Sequence, residues 1–362
     1  MLTRLIFILA GPTALAFTVT FVNPGRSTET YWVAASQAMY AAAAKLDIQL
    51  EVRYAERDPM RLAPLVQEVA HRPVGKRPDY LIITDERGMG FAQLALADAA
   101  GIKTFFAFSA PLAESRRQTG DPRGRYPHWI GSLEPDAADA GYQTAMALIR
   151  RATRDKRYGA DGHLHMVAIS GDRTTSTSVN RERGLRQALA AQPTVILDQL
   201  VYGDWVRDKA RQQATVLFKR YPSASMVWAG NDQMAFGAID ALEAASGTAG
   251  KEKYFSGINT STDALAAVQT GQIEALSGGH FMAGAWALVM LYDYEHGHDF
   301  AQEGMELKKP MFMLFDAKSA ARFQSRFGEG VHDVDFLRFS KTRHPAQKQY
   351  DFRFERLLDD AP

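Results

Sequence analysis

The stretch WAGNDQMAFGAIDALEAAS, residues 228–246, joins a buried strand to a helix, and this junction decides the fold. The apolar run 226–229 is followed by Gly230 and two polar residues, Asn231 and Asp232, and a helical spacing of apolar residues begins directly behind them. Asparagine and aspartate both cap helix N-termini, and a helix needs only one such residue. We therefore predict that Asp232 caps the helix and that Asn231 has a second role.

Strand-like runs alternate with helical patterns along almost the whole chain. Strands are predicted at 17–22, 48–54, 80–84, 103–108, 164–170, 195–202, 225–229, 254–258 and 273–276. These runs are rich in Val, Ile, Leu and Phe, which is typical of parallel sheets covered by helices on both faces. Because 362 residues exceed one ordinary compact core, the sequence predicts an α/β protein with two doubly wound parallel-sheet lobes.

The first sixteen residues, MLTRLIFILAGPTALA, are typical of a cleavable secretory signal peptide. We expect a soluble, monomeric mature chain, located in the periplasm if the source is a Gram-negative bacterium. The chain has no cysteine, which excludes disulfides, thiol nucleophiles and zinc–thiolate sites. A formal net charge of +1 argues against a nucleic-acid-binding surface.

Ligands of open parallel sheets bind beyond the carboxyl ends of the strands. The residues that follow the predicted strands are mainly amides, hydroxyls and aromatic rings, with few catalytic groups; they lie at 23–24, 84–85, 108–109, 171–172, 203–205, 231–232, 259–260 and 278–280. The sequence holds no nucleophile-elbow, zinc-helix or phosphate-loop motif. We therefore expect a binding protein rather than an enzyme, with no cofactor and no metal.

Three motifs at these positions occur together in a known family. They are Asn-Arg-Glu-Arg-Gly at 180–184, Asn-Asp-Gln-Met-Ala at 231–235 with Gly-Ala at 237–238, and Gly-Ile-Asn at 257–259. On these motifs the chain resembles the type I periplasmic binding proteins of the ribose and galactose class, which are relatives of the ligand-binding core of the lactose repressor. The resemblance covers residues 17–313, nearly the whole mature chain.

The resemblance implies which residues contact a sugar-like ligand. Arg181 corresponds to an arginine that bonds sugar oxygens, and Asn231 to an amide that pairs with hydroxyls. Trp205, together with Tyr31 or Trp32, corresponds to the aromatic residues that cover the sugar ring. The other positions depart from the family pattern, which predicts a more aromatic and less acidic site than that of a common hexose binder; they are Phe108, Ser109, Asn259 and His280.

Simpler roles remain open for several of these residues. Arg181 is also consistent with a solvated helix charge, and Trp205 with a residue that packs against its own helix. Tyr31 and Trp32 are adjacent on a helix and point in different directions, so at most one of them is expected to face the ligand fully. His280 is interpreted as a ligand-side or hinge residue and not as a catalyst.

The resemblance also implies how the lobes divide the chain. Three crossovers, near 131–134, 278–281 and 308–311, are expected to form a hinge. The N-terminal lobe then comprises 17–132 and 280–308, and the C-terminal lobe 133–279 and 309–330. Residues 331–362 form a C-terminal extension, in which aromatic residues alternate with charged ones at 350–354 and predict a strand or extended arm against the body.

Two functions follow from these expectations. In the first, the exported protein closes around a small polar, sugar-like solute and delivers it to the membrane permease of an ABC importer. In the second, the same closure reports occupancy to a membrane histidine kinase or chemoreceptor, as in the autoinducer-2 receptor of this fold family. A transcription regulator would need a DNA-binding segment before the first strand, where only the signal-like segment stands, and no nucleic-acid partner is expected.

Overall fold

The computed structural model describes residues 16–328 and 330–359, which form two parallel-sheet lobes covered by helices. Of the predicted signal peptide, residues 1–15 lie outside the described part of the chain. The strands are β1 (Thr18–Asn23), β2 (Gln49–Tyr54), β3 (Tyr80–Ile83), β4 (Lys103–Ala107), β5 (Trp129–Pro135), β6 (Leu164–Ser170), β7 (Val195–Tyr202), β8 (Ala224–Ala229), β9 (Tyr254–Ile258), β10 (Ala275–Gly278), β11 (Glu306–Lys309) and β12 (Met313–Phe315).

The helices alternate with these strands as the sequence predicts. They are α1 (Thr30–Leu46), α2 (Leu62–Ala70), α3 (Gly90–Ala99), α4 (Arg116–Thr119), α5 (Ala137–Arg154), α6 (Ser176–Ala190), α7 (Arg207–Arg220), α8 (Asp232–Glu243), α9 (Thr262–Gln269), α10 (Ala283–Glu295), α11 (Ala317–Phe327) and α12 (Glu355–Asp359). Among the described residues, no helix is long and apolar enough to cross a membrane.

Each lobe is built on one six-stranded sheet. The sheet of the N-terminal lobe has the order β11-β5-β4-β3-β1-β2, and that of the C-terminal lobe has the order β12-β10-β9-β8-β6-β7. Neighbouring strands are parallel throughout, except that β12 pairs with β10 in the antiparallel direction. The predicted fold class of two doubly wound lobes is therefore confirmed, and all nine predicted strands lie within two residues of their expected bounds.

Strand β5 corrects one expectation. The segment 131–134, predicted as a crossover, is the middle of this strand, so the domain boundary predicted at residue 132 falls inside it and the chain leaves the sheet only after Pro135. Gly131 makes the pairing with β11 possible, since a Cβ there would lie 2.5 Å from the Met305 carbonyl oxygen. A search for apolar runs missed β5 because several of its residues are small or polar.

The C-terminal arm, residues 331–359, packs against both lobes. Its residues Tyr350, Phe352 and Phe354 are buried, as expected for an arm packed against the body, and this segment does not join either sheet. Phe352 stacks on Trp286 of α10 with ring centroids 5.4 Å apart. Phe354 lies 5.6 Å from Phe323 of α11, which packs on α9 in the C-terminal lobe.

A buried carboxylate holds the arm to the N-terminal lobe. Asp293 of α10 is fully buried and accepts hydrogen bonds from the Lys341 N–H (2.7 Å), the Thr342 N–H (3.0 Å) and the Tyr350 hydroxyl (3.0 Å). The Ser340 hydroxyl donates to it as well. Four donors converge on one carboxylate, so its replacement leaves several buried groups without a partner.

Direct polar contacts also join the lobes across the cleft between them. The Ser176 hydroxyl at the start of α6 donates to Glu134 Oε2 of β5 (3.1 Å), which also accepts from the Ala110 N–H (3.0 Å). Nearer the mouth of the cleft, Arg87 forms an ion pair with Asp204 (3.6 Å). Burial raises the pKa of the Glu134 carboxyl, although Lys308 partly offsets the effect.

We predict that Asp293→Asn lowers the free energy of unfolding by about 3 kcal/mol, because the NH2 group that replaces one carboxylate oxygen cannot accept from the donors that face it. Urea titration measures the loss, and hydrogen exchange should locate increased opening at 340–350. Asp351→Asn on the same arm is the matched control, since that carboxylate is partly exposed and pairs only with arm arginines; its cost should stay within about 0.5 kcal/mol. Equal effects of the two substitutions would contradict the assigned role of Asp293.

We predict that Glu134→Gln stabilises the protein by about 1 kcal/mol at neutral pH, because it removes a partly buried charge and keeps an acceptor for both donors. A raised pKa destabilises the wild type progressively above the ordinary Glu value of 4.5, and fully above the raised value. The gain in Tm should therefore vanish near pH 4. Glu306→Gln on neighbouring β11 serves as control, and a Tm gain that grows toward acid pH would refute the prediction.

Candidate ligand-binding site

All nine residues singled out from the sequence line one cavity between the lobes. This inner pocket has a volume of about 70 Å³. Its lining comprises the predicted Tyr31, Trp32, Phe108, Ser109, Arg181, Trp205, Asn231, Asn259 and His280, and in addition Glu29, Arg57, Glu86, Pro135, Ala137, Thr175, Thr177 and Phe312. The strand-end rule and the family resemblance together therefore selected residues up to 249 positions apart in the chain that line one pocket.

Several of these residues have unusual backbone conformations. Phe108, Trp205 and Asn259 follow β4, β7 and β9, and their φ angles are +69°, +66° and +135°. Non-glycine residues rarely adopt positive φ, and such positions are concentrated at functional sites. The chain thus turns sharply at three strand ends to direct side chains into the cleft.

Arg181 on α6 is buried and forms no hydrogen bond to a carboxylate of the described residues, although the charge of Asp232 acts on it. Only 3% of the residue is exposed, and its Nη1 donates to the Gly230 carbonyl (2.6 Å) while its Nη2 donates to His280 Nε2 (3.0 Å). The Trp205 and Phe312 rings lie 5.6 and 5.8 Å from the guanidinium carbon. Burial lowers the pKa of Arg181 to about 10, and the side chain remains charged at neutral pH.

His280 lies between two aromatic rings. Its ring centroid is 4.8 Å from that of Tyr31 and 4.4 Å from that of Phe312, with nearly parallel planes in both cases. Burial, together with the neighbouring Arg181 charge, holds the pKa of His280 well below 6.5. The ring is therefore neutral, and because Nε2 accepts from Arg181, its proton resides on Nδ1.

The Trp205 indole is fixed by its surroundings. Its Nε1 donates to Asp172 Oδ2 (3.0 Å), and the other Asp172 oxygen accepts from the Thr174 and Thr175 N–H groups. Burial alone would raise the pKa of Asp172, but these hydrogen bonds lower it. A Cβ at Gly171 would lie 2.1 Å from the indole, so only glycine allows the ring to take this position.

The adjacent aromatics on α1 both line the inner pocket, but in different ways. Trp32 is 5% exposed and packs against Phe108, with ring centroids 5.1 Å apart. A Cβ at Gly25 would lie 2.0 Å from its indole. Tyr31 is only partly buried and also lines a larger outer cleft of about 490 Å³, which opens from the inner pocket and shares seven of its residues. Trp32 thus belongs to the core, and Tyr31 lies between the pocket and its entrance.

The capping role predicted for Asp232 belongs to Asn231 in the structure. Asn231 is the helix cap: its backbone is extended and its Oδ1 accepts from the Met234 N–H (2.8 Å). Asp232 is the first helical residue and accepts from Asn259 Nδ2 (2.9 Å) and from the Gln233 N–H (2.8 Å). The prediction that Asp232 caps α8 was wrong, because an N-cap side chain must stand one residue before the helix. The Asn231 amide still lines the pocket, with a long contact to the Trp205 carbonyl (3.4 Å).

The sequence analysis missed a charged group on the N-terminal lobe. Arg57 Nε donates to Glu29 Oε2 (2.8 Å), and Arg57 Nη1 donates to Glu86 Oε1 (3.2 Å). Burial raises the pKa of Glu86, and Arg57 counteracts this effect. Arg57 and Glu86 each stand three residues beyond the end of a strand, β2 and β3 respectively, so a search extended past the first residues after each strand would have found them.

The site contains no feature of a metal centre. Within the described ranges, no group of three or more His, Asp or Glu side chains is placed to hold a metal ion. The lining offers guanidinium, amide, imidazole, hydroxyl and carboxylate groups beside aromatic faces. Such a mixture suits the binding of a small polar molecule.

Comparisons with known proteins agree with this geometry. Residues 19–299 match the family model of the periplasmic binding protein domain. A crystal structure of a periplasmic sugar-binding protein from Pseudomonas fluorescens is 36% identical, and the alignment covers 94% of this chain and 99% of that one with a TM-score of 0.82.

Two curated relatives match over shorter stretches. A xylitol-binding protein of Mycolicibacterium smegmatis is 30% identical over 146 residues, which are 40% of this chain and 39% of that protein. A D-ribose/D-allose-binding protein of Pseudomonas aeruginosa is 35% identical over 85 residues, 24% of this chain and 26% of that protein. These alignments span about two fifths of the curated relatives or less, but the family match covers most of this chain. The chain belongs to the family of periplasmic binding proteins.

Proposed function

We propose that this protein is exported to the periplasm, binds a small sugar-like solute between its lobes and delivers it to the permease of an ABC importer. One observation carries the proposal: the inner pocket places the buried Arg181 guanidinium and the Asn231 amide beside the aromatic faces of Trp205, Tyr31 and Phe312. Aromatic faces cover the C–H surface of a sugar, while planar polar groups bind its hydroxyl edge.

Ligand binding is expected to close the lobes, because both lobes contribute residues to the pocket. Tyr31, Phe108 and Glu86 belong to the N-terminal lobe, whereas Arg181, Trp205 and Asn231 belong to the C-terminal lobe. A solute that contacts both sets stabilises the arrangement in which the lobes approach each other. The contacts between Ser176 and Glu134 and between Arg87 and Asp204 would form and break with that motion.

The relatives support the class of solute. The matched proteins are described as sugar-binding, xylitol-binding and ribose- or allose-binding. We therefore propose sugars and sugar alcohols, with their related acids, as the class from which the solute comes. The nine pocket residues predicted from the sequence are proposed as its contacts, with Trp32 contributing from the core side.

We predict that calorimetric titration of a panel of sugars and polyols finds at least one ligand, and that Arg181→Ala weakens its binding about 100-fold. Hydrogen bonds from a buried charged group are each worth about 1.5–3 kcal/mol, and this loss corresponds to that factor. Arg186→Ala is the matched control, because Arg186 lies on the same helix but is exposed and pairs only with Glu182. Equal binding by all three proteins would remove Arg181 from the site, and a panel without any ligand would overturn the proposed solute class.

Delivery is tested in the source bacterium. We predict that deletion of the gene abolishes uptake of the radiolabelled ligand, and that wild type and Arg186→Ala restore it while Arg181→Ala does not. Normal uptake combined with a lost transcriptional or chemotactic response to the same ligand would instead assign the protein to a membrane sensor. Neither of these two results tests the binding site, which the titrations examine.

A further inference from the structure

The inner pocket opens into a much larger space. Its volume is about 70 Å³, whereas that of the outer cleft is about 490 Å³, and seven residues line both, Tyr31 and Trp205 among them. Pockets that hold a small molecule usually measure about 300–1,000 Å³. The inner pocket lies below this range and the outer cleft lies within it, so a bound solute has room to extend from the first into the second.

The lobes are joined along one side of this space. The Arg87 N–H donates to the Thr175 hydroxyl (3.3 Å), and the Arg87 guanidinium forms the ion pair with Asp204 (3.6 Å). The Ser176 hydroxyl donates to Glu134 (3.1 Å). These contacts form one continuous group, because Arg87 takes part in two of them and Thr175 and Ser176 are adjacent. A ligand that projects outward from the inner pocket is obstructed on this side.

A gap remains between α1 and α9. The outer cleft continues there into a third cavity of about 330 Å³, which is lined by both helices and shares five residues with the outer cleft. Among the described residues, no hydrogen bond or ion pair joins 28–37 to 260–265. The open path from the inner pocket therefore leads along α1 and α9.

The outer cleft presents polar side chains that are not used within the protein. The side chains of Thr28, Thr30, Gln233 and Thr260 make no hydrogen bond to any other described residue; all four residues line this cleft and none lines the inner pocket. The first two belong to the N-terminal lobe and the last two to the C-terminal lobe. Hydroxyl and amide groups both donate and accept, as the hydroxyls of a sugar require.

We propose that the solute is an oligosaccharide of at least two linked sugar units, with one terminal unit in the inner pocket and the next in the outer cleft between α1 and α9. This inference rests on the proposed function and names the ligand class of the same site. A sugar that carries an apolar group in place of the second unit is the other ligand that would fill this space. The free hydroxyl and amide groups of the outer cleft favour a second sugar.

The test titrates the full mature chain with matched ligands by calorimetry. The panel contains disaccharides and trisaccharides, each beside its component monosaccharides, and the phenyl glycosides of the same monosaccharides. We expect at least one disaccharide to bind ten-fold or more tightly than either of its monosaccharides and than the phenyl glycoside.

Two variants locate the second unit. Thr28→Trp places a large ring at the rim of the outer cleft and should reduce the preference for the disaccharide to two-fold or less. Ser27→Trp is the matched control, because Ser27 is exposed in the same turn but lines none of the three cavities, and the preference should persist. Gln233→Ala adds no bulk and should weaken disaccharide binding about three-fold more than monosaccharide binding, which covers the case in which Thr28→Trp does not fold.

The outcomes separate this inference from the proposed function. Monosaccharides that bind as tightly as every disaccharide, or phenyl glycosides that bind more tightly, would overturn the oligosaccharide assignment and leave the proposed function standing. A preference that survives both Thr28→Trp and Gln233→Ala would overturn the placement of the second unit. A complete absence of binding would overturn the inference and the proposed function together.

Discussion

The burial of the Arg181 guanidinium against the Gly230 carbonyl and the His280 ring is the interaction on which the cleft depends. It connects α6 of the C-terminal lobe, the end of β8 and the crossover after β10. The same guanidinium lies beside the Trp205 and Phe312 rings, and His280 in turn stacks on Tyr31 of the N-terminal lobe. A single buried cation thus contacts, directly or through His280, the aromatic rings that both lobes contribute to the pocket.

Much of the fold could be predicted from the sequence, because strands covered on both faces are recognisable as apolar runs. The strands that were missed do not have that character. β5 contains Gly131 and Ser132, and β11 reads Glu-Leu-Lys-Lys because it lies at the edge of its sheet, where alternate side chains face solvent. β12 is only three residues long. The positions of these strands in the sheets depend on residues distant in sequence, and local sequence patterns carry no information about them.

The candidate site could be predicted from the sequence to a similar extent. Positions after strand ends, together with the family motifs, brought all nine expected residues to one pocket. The prediction that Asp232 caps α8 failed because Asn231 and Asp232 are adjacent, and the exact start of the helix decides which of them is the cap. Arg57 and Glu86 could have been found by searching further past the strand ends, but their pairing with each other and with Glu29 arises only from the approach of α1, β2 and β3.

The C-terminal arm has a mechanical consequence for any motion between the lobes. Besides the three crossovers, it forms a fourth connection: Asp293 binds it to α10, and Phe354 packs it onto α11. Gly279, with φ of +111°, lies against the second of these contacts, since a Cβ there would be 2.4 Å from the Phe354 ring. Rotation about an axis through this aromatic contact preserves it, whereas rotation about a distant axis would pull it apart. A rotation axis close to Gly279 would therefore keep the arm attached to both lobes, and Gly279 immediately precedes the histidine that contacts Arg181.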